Sequence, residues 1–152
     1  MTRPAVPGSL TSPSRLRAVL AAYGVRPSRR LGQNFLVDRN ILVKVVAALE
    51  PGPGDLVLEI GAGVGTLTEA VAPLVGSVVA VELDPRLYPA LLKTISAFPN
   101  ARAVCGDALK LNLEALVEEA SEEGRLRTLK VAGNIPYYIT GPFLARMLEG
   151  RL

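Results

Sequence analysis

Four short apolar runs, each followed by a helix-length stretch, constrain this chain more than any other feature of it. Residues 56–60, 78–81, 101–105 and 129–132 are too short for ordinary helices and read as strands buried on both faces. Helices are expected at 67–74, 86–97, 113–120 and 142–148, with Pro89 distorting the first turns of the second. Strand–helix alternation implies right-handed crossovers between parallel strands, and so an open α/β sheet. Ahead of the alternation, Ser12-Pro13 marks the start of a helix over 15–23, and Asp38 is placed to cap another over 39–49. Pro51-Gly52-Pro53-Gly54 ends that second helix.

Composition narrows the class. Apolar residues are 49% of the 152, enough for a buried core, so global disorder is excluded. No apolar stretch is long enough to span a bilayer, and residues 1–17 contain no secretory core. The chain has one cysteine, Cys105, and no histidine, so neither an internal disulfide nor a zinc cluster is expected. A cytoplasmic protein without metal or membrane partner is the simplest expectation. Charge is unevenly spread. Residues 1–44 carry eight basic side chains against Asp38 alone, whereas the remainder carries nine basic and thirteen acidic. A basic leader on an acidic body suits a polyanion partner, with Arg15, Arg17, Arg26, Arg29 and Arg30 as phosphate contacts. A solvated leader would look the same.

Candidate chemistry lies at the strand ends. After the first strand comes Glu59-Ile60-Gly61-Ala62-Gly63-Val64-Gly65, whose glycines allow a tight turn and close approach of a ligand. The spacing departs from the dinucleotide fingerprint, because Thr66 stands where its last glycine would be. Glu82, ending the second strand, can accept both hydroxyls of a ribose, in NAD as well as in S-adenosylmethionine. Asp107, after the third strand, can accept from an adenine amino group or cap a helix. Ligands of open α/β sheets bind beyond the carboxyl ends of the strands, where these three groups would converge.

The fourth strand ends in Asn134-Ile135-Pro136-Tyr137. An Asn-x-Pro-aromatic tetrapeptide here is characteristic of amino-group methyltransferases acting on nucleic-acid bases or amides. The exocyclic nitrogen of adenine has its lone pair delocalised into the ring. The Asn134 side-chain oxygen and a backbone carbonyl beside Pro136 can accept its two N–H bonds and aim the lone pair at a methyl donor. Tyr137 offers a face on which an extruded base can stack. Asn134, Pro136 and Tyr137 are therefore the candidate catalytic residues.

Together these motifs resemble the ribosomal RNA adenine dimethyltransferases. The resemblance runs from about Arg30 to Leu148. It includes Gly32-Gln33-Asn34-Phe35-Leu36-Val37-Asp38, the run from Glu59 to Thr68, Val81-Glu82-Leu83-Asp84, Gly106-Asp107-Ala108-Leu109 and the Asn134 tetrapeptide. It implies a Rossmann-like class I methyltransferase fold and S-adenosylmethionine as cofactor. The implied activity is dimethylation of two adjacent adenines near the 3′ end of small-subunit rRNA, on a pre-30S particle in ribosome biogenesis. It also implies cofactor contacts from Asn34, Leu36, Gly61 (methionine part), Glu82 (ribose), Asp107 (adenine) and Asn134.

The resemblance divides the chain into a basic segment, 1–31, with one helix, and a partial methyltransferase domain, 32–152. About four of the family's seven strands are recognisable, and its C-terminal helical rRNA-binding domain is missing. Tyr138 stands where many members have Asn. On this basis the strand at 129–132 is expected to have one open edge, with Phe143, Leu144 and Leu148 short of cover. The chain alone is expected to be marginally stable and inactive. Alternatives are a large-subunit rRNA adenine methyltransferase, an inactive fragment that binds cofactor or RNA, and an NAD-dependent oxidoreductase. The last leaves Asn134–Tyr137 without a role.

Overall fold

The computed structural model describes residues 10–27, 35–121 and 128–149. Among them, four strands form one parallel sheet in the order β3-β2-β1-β4: β1 (Asp55–Ile60), β2 (Ser77–Glu82), β3 (Ala101–Cys105) and β4 (Thr128–Gly133). The chain winds outward from β1 to β3, then returns to place β4 on the other side of β1. The order reverses between β1 and β4, and an open sheet of this kind binds ligands at that reversal.

Alternation along the strands divides the core. Val57 and Val78 face α2 (Arg39–Leu49) and α3 (Thr66–Val71), packing with Leu42, Val46 and Leu67. Leu56, Leu58, Ile60, Val79 and Val81 face α5 (Leu113–Ala120) and α6 (Tyr137–Leu148), packing with Leu113 and Phe143. α4 (Tyr88–Ile95) covers Ala80 through Leu91 and Ile95. α1 (Pro13–Ala22) docks Leu16 and Leu20 on Val64, Leu87 and Ala90, beside the glycine turn. Among the described residues no helix is long and apolar enough to cross a membrane.

Most helix boundaries follow their sequence signals. Asp38 caps α2, its carboxylate accepting from the backbone N–H of Asn40 (2.7 Å) and Ile41 (3.4 Å). Four boundaries differ. Ser12 occupies the N-cap of α1, but its hydroxyl pairs with that of Ser14 instead of capping. α4 starts at Tyr88, two residues later than expected, because Pro89 then falls in its first turn, where a missing N–H costs nothing. The third helix ends at Val71 as an α-helix and finishes as a 3-10 turn through Ala72–Leu74. α6 starts five residues before the expected 142, with Pro142 inside it. Thr140 Oγ1 donates to the Pro136 carbonyl at 3.1 Å across its first turn.

β4 pairs with β1 through six registered residues and forms an edge of the described sheet. Its residues are half-buried or exposed, whereas all six of β1 are buried. Leu144 and Leu148 are exposed, as expected, but Phe143 is only 1% exposed. Its ring is covered by the sheet face it packs on, together with the α5 side of the core.

Two glycines in this region should respond to alanine in opposite directions. A Cβ at Gly133 would overlap the Ile60 carbonyl, whereas at Gly141 it would meet nothing within 4 Å beyond its chain neighbours, one of which is Pro142. Gly133→Ala should cost about 1–3 kcal/mol. Gly141→Ala, in α6, should add less than the ~1 kcal/mol of an open helix interior, because the Pro142 ring crowds a side chain on the residue before it. Urea denaturation of both variants checks the sign.

Candidate cofactor site

The cavity forms where the loops after all four strands meet. Gly61 adopts φ +73°, and a Cβ on it would lie 3.2 Å from the Asn134 carbonyl oxygen. Glycine at 61 and at 133 therefore lets the loops after β1 and β4 run against each other. The turn from Gly61 to Gly65 is anchored to β2, since the N–H groups of Gly61 and Ala62 both donate to the Val81 carbonyl, at 2.9 and 3.0 Å. Thr94 Oγ1 donates to the Val64 carbonyl at 2.7 Å and ties the turn to α4.

Leu36, Gly61, Glu82, Asp107, Asn134 and Pro136 all line this one cavity. Tyr137 does not. It is 91% exposed at the first position of α6, and Tyr138 and Ile139 line the wall instead. Asn34 lies outside the described residues, as do Arg29 and Arg30. Arg15, Arg17 and Arg26 are exposed.

Each acid is held in a defined pose. Glu82 is 6% exposed. Its Oε2 accepts from Gly63 N–H at 2.6 Å and its Oε1 from Asp84 N–H at 2.8 Å. Burial pushes its carboxyl above the usual range, against the pull of those N–H groups. Asp107 Oδ1 accepts from Leu109 N–H at 2.9 Å, which turns the chain after β3. Arg146 of α6 donates to the carbonyls of Ala108 and Leu111, both at 2.7 Å, and so fixes the Asp107 turn to the helix that follows Asn134. Leu36, Ile41 and Val45 supply an apolar wall from the α2 side.

Glu59 is the residue that the motifs left without a role. It is 2% exposed, lies in the cavity wall and accepts a 2.5 Å hydrogen bond from Thr68 Oγ1 of α3. Burial raises its carboxyl to about 8, with the Glu82 charge adding to the effect. Its only sequence signal was a charged residue inside an otherwise apolar strand.

A sequence profile of the ribosomal RNA adenine dimethylase family matches residues 25–152. The chain belongs to that family. The ribosomal RNA small subunit methyltransferase A of Moorella thermoacetica is 46% identical to this dimethylase-family chain over 145 residues, which cover 94% of the chain and 50% of the relative. Its namesake from Ligilactobacillus salivarius is 45% identical over 140 residues, covering 92% and 47%. Among solved structures, a dimethyladenosine transferase from Plasmodium falciparum superposes with a TM-score of 0.60 at 28% identity, covering 75% of this chain and 38% of that one. The 23S rRNA methyltransferase ErmE superposes with a TM-score of 0.63 at 33% identity, covering 76% and 43%. The chain spans about half the length of the curated relatives it matches. The expected family and the Rossmann-like fold are thus both found.

Glu59 sets a sign for the pH dependence of stability. An acid raised in the folded state supports the fold below its unfolded value of 4.5, and that support is lost as pH rises through about 8. Asp55 acts oppositely. Its hydrogen bond with Lys130 lowers its carboxyl, so its contribution is present above 3.8 and is lost only in acid. Between about pH 5 and about pH 8, the unfolding midpoint of the native chain should therefore fall relative to that of Glu59→Gln. Urea titrations of both proteins across that range check it.

Proposed function

We propose that this chain holds S-adenosylmethionine and presents its methyl group to the N6 nitrogen of adenine in rRNA, as the cofactor-binding half of an rRNA adenine N6-dimethyltransferase. The observation that carries this is the cavity's polarity. Glu59, Glu82, Asp84 and Asp107 line it, and no basic side chain does so among the described residues. A dinucleotide would bring its pyrophosphate anion among those acidic side chains with no basic side chain of the described lining to meet it, whereas S-adenosylmethionine brings a net positive charge. The glycine turn gives a ligand close approach to the backbone, and the apolar wall suits an adenine ring.

In this reading Glu82 holds the ribose hydroxyls, its pose already set by Gly63 and Asp84 N–H. Asp107 accepts from the cofactor's adenine amino group. Gly61 meets the methionine part, and Leu36 and Asn34 complete the pocket. The cofactor supplies an electrophilic methyl group on a sulfonium. Asn134 and the carbonyl beside Pro136 orient the target amino group toward it. Tyr137, exposed at the mouth, provides the stacking face for an extruded base, and Tyr138 forms the wall behind it. The exposed Arg15, Arg17 and Arg26 supply phosphate contacts.

A small-subunit target has support in the names of relatives 39–46% identical to the chain, and two adjacent adenines near its 3′ end are the substrate in this reading. A large-subunit target is the second reading, favoured by the likeness to ErmE. Methylation of isolated small- and large-subunit rRNA by a full-length protein carrying this sequence separates the two. A cytoplasmic location and a pre-30S particle as partner follow from the small-subunit reading.

Two substitutions test the assignment. Hydrogen bonds to a charged group contribute about 1.5–3 kcal/mol, so Glu82→Ala should weaken S-adenosylmethionine binding about tenfold or more. Unchanged affinity in calorimetry removes Glu82 from the ribose. In a full-length context, Asn134→Ala should abolish methyl transfer in a single turnover while retaining most cofactor affinity. Transfer at the native rate would rule out its catalytic role.

A further inference from the structure

We propose that Glu59 is a positioning residue that carries a proton in the ligand-free cavity and releases it when the cationic cofactor enters. Cofactor binding is then coupled to the loss of one proton to solvent. The inference rests on the S-adenosylmethionine reading above and deepens it.

The geometry comes first. Glu59 sits on the second-last residue of β1, on the face that β1 shares with Val57 and that α2 and α3 cover. Among the described residues, Thr68 Oγ1 is the hydrogen-bond partner recorded for its carboxyl, through Oε2. A buried carboxylate with one neutral donor is under-compensated, and protonation relieves it.

Among the described residues the surrounding groups offer no nearby cation. From α3, Thr68 donates and Glu69 adds another acid on the first turn. From β2, the Glu82 carboxylate opposes ionisation of Glu59. Asp84, farther along, is bound by Arg86 through a 2.7 Å ion pair. From β4, Lys130 is committed to Asp55 at 2.9 Å and to the carbonyls of Leu49 and Glu50. From α2, Leu42 and Val46 are the buried side chains, and Arg39 and Lys44 are exposed. No group of three His, Cys, Asp or Glu among the described residues is arranged to hold a metal ion. Among the described residues no positive charge is placed to stabilise ionised Glu59, and a cationic ligand would bring one.

A sulfonium or α-ammonium entering the cavity supplies that charge. The Glu59 O–H bond breaks, the proton passes to solvent, and the carboxylate remains facing the cation. Its bond from Thr68 then becomes charge-assisted. Since Thr68 lies in α3, directly after the glycine turn, the stronger bond tightens that turn around the ligand.

Calorimetric titration with S-adenosylmethionine, repeated in buffers of different ionisation enthalpy, counts the protons released. The native chain should release close to one proton per cofactor near neutral pH, and Glu59→Gln close to none. The ligand's own α-amino group also titrates, at about 7.7–8.0, but contributes equally to both proteins, so their difference isolates Glu59. Relative to Glu59→Gln, native affinity should rise by up to about tenfold per pH unit from about pH 6 to about pH 8. S-adenosylhomocysteine, with a neutral sulfur, should release fewer protons.

Should Glu59→Gln fail to fold, Thr68→Val provides the second variant. It keeps the carboxyl and removes the hydrogen bond that favours ionisation, so proton release should persist to higher pH than in the native chain. Cofactor binding with no proton release overturns this proposal alone. So do equal proton counts in native and Glu59→Gln protein, or an unshifted pH range in Thr68→Val. No binding of S-adenosylmethionine at all would overturn the cofactor reading as well.

Discussion

The cavity depends on how closely the ends of β1 and β4 approach each other. In a parallel sheet the chains diverge where the strands stop, and side chains normally hold the following loops apart. Here Gly133 lies over the Ile60 carbonyl and Gly61 against the Asn134 carbonyl, so two loops meet backbone to backbone. That contact sets the Asn134 tetrapeptide beside the glycine turn, and it places both at the point where the strand order reverses. A side chain at either position would part the target loop from the cofactor turn.

Electrostatics divides this sheet into two ends. At the amino end, Asp55 of β1 meets Lys130 of β4, and the ammonium also satisfies carbonyls at the C-terminus of α2. That charge is paired and costs little. At the carboxyl end, Glu59 and Glu82 are buried beside each other without a cation from the described protein. Their side chains are held by backbone N–H groups and one hydroxyl, which fix orientation without cancelling charge. The sheet is thus stabilised at one end and left electrostatically unsatisfied at the other, where the cavity lies.

Much of this was legible in the sequence, and the exceptions have physical causes. Strand positions were legible because β1 and β2 are buried on both faces and read as continuous apolar runs. Asp38 was legible as a cap because its signal is local. The start of α6 was not, because Gly141-Pro142 looks like a break, and only packing of Phe143 and the Thr140 bond to Pro136 carry the helix through it. The convergence of Gly61, Glu82, Asp107 and Asn134 on one cavity was legible because strand ends converge in any open α/β sheet. The exposure of Tyr137 and the turn of Tyr138 toward the cavity were not, since they depend on the phase at which α6 begins. Glu59 and Arg146 escaped for a similar reason, because their partners, Thr68 and the Ala108 and Leu111 carbonyls, are set by tertiary packing.

Burial is also graded across the sheet, and the grading matches a division of labour. β1 and β2, which carry the glycine turn and Glu82, are buried almost throughout, whereas β4, which carries Asn134, is half-buried along its length. Segments with fewer buried apolar contacts open at lower free energy than the core around them. The glycine turn and Glu82 are therefore built on the most buried strands, whereas the loops carrying Asp107 and Asn134 follow strands that are only half-buried. Arg146 bridges the two by fixing α6, which begins just after that loop, to the Asp107 turn. The helix that follows the Asn134 loop is in this way tied by one side chain to the turn that carries Asp107, on the opposite wall of the cavity.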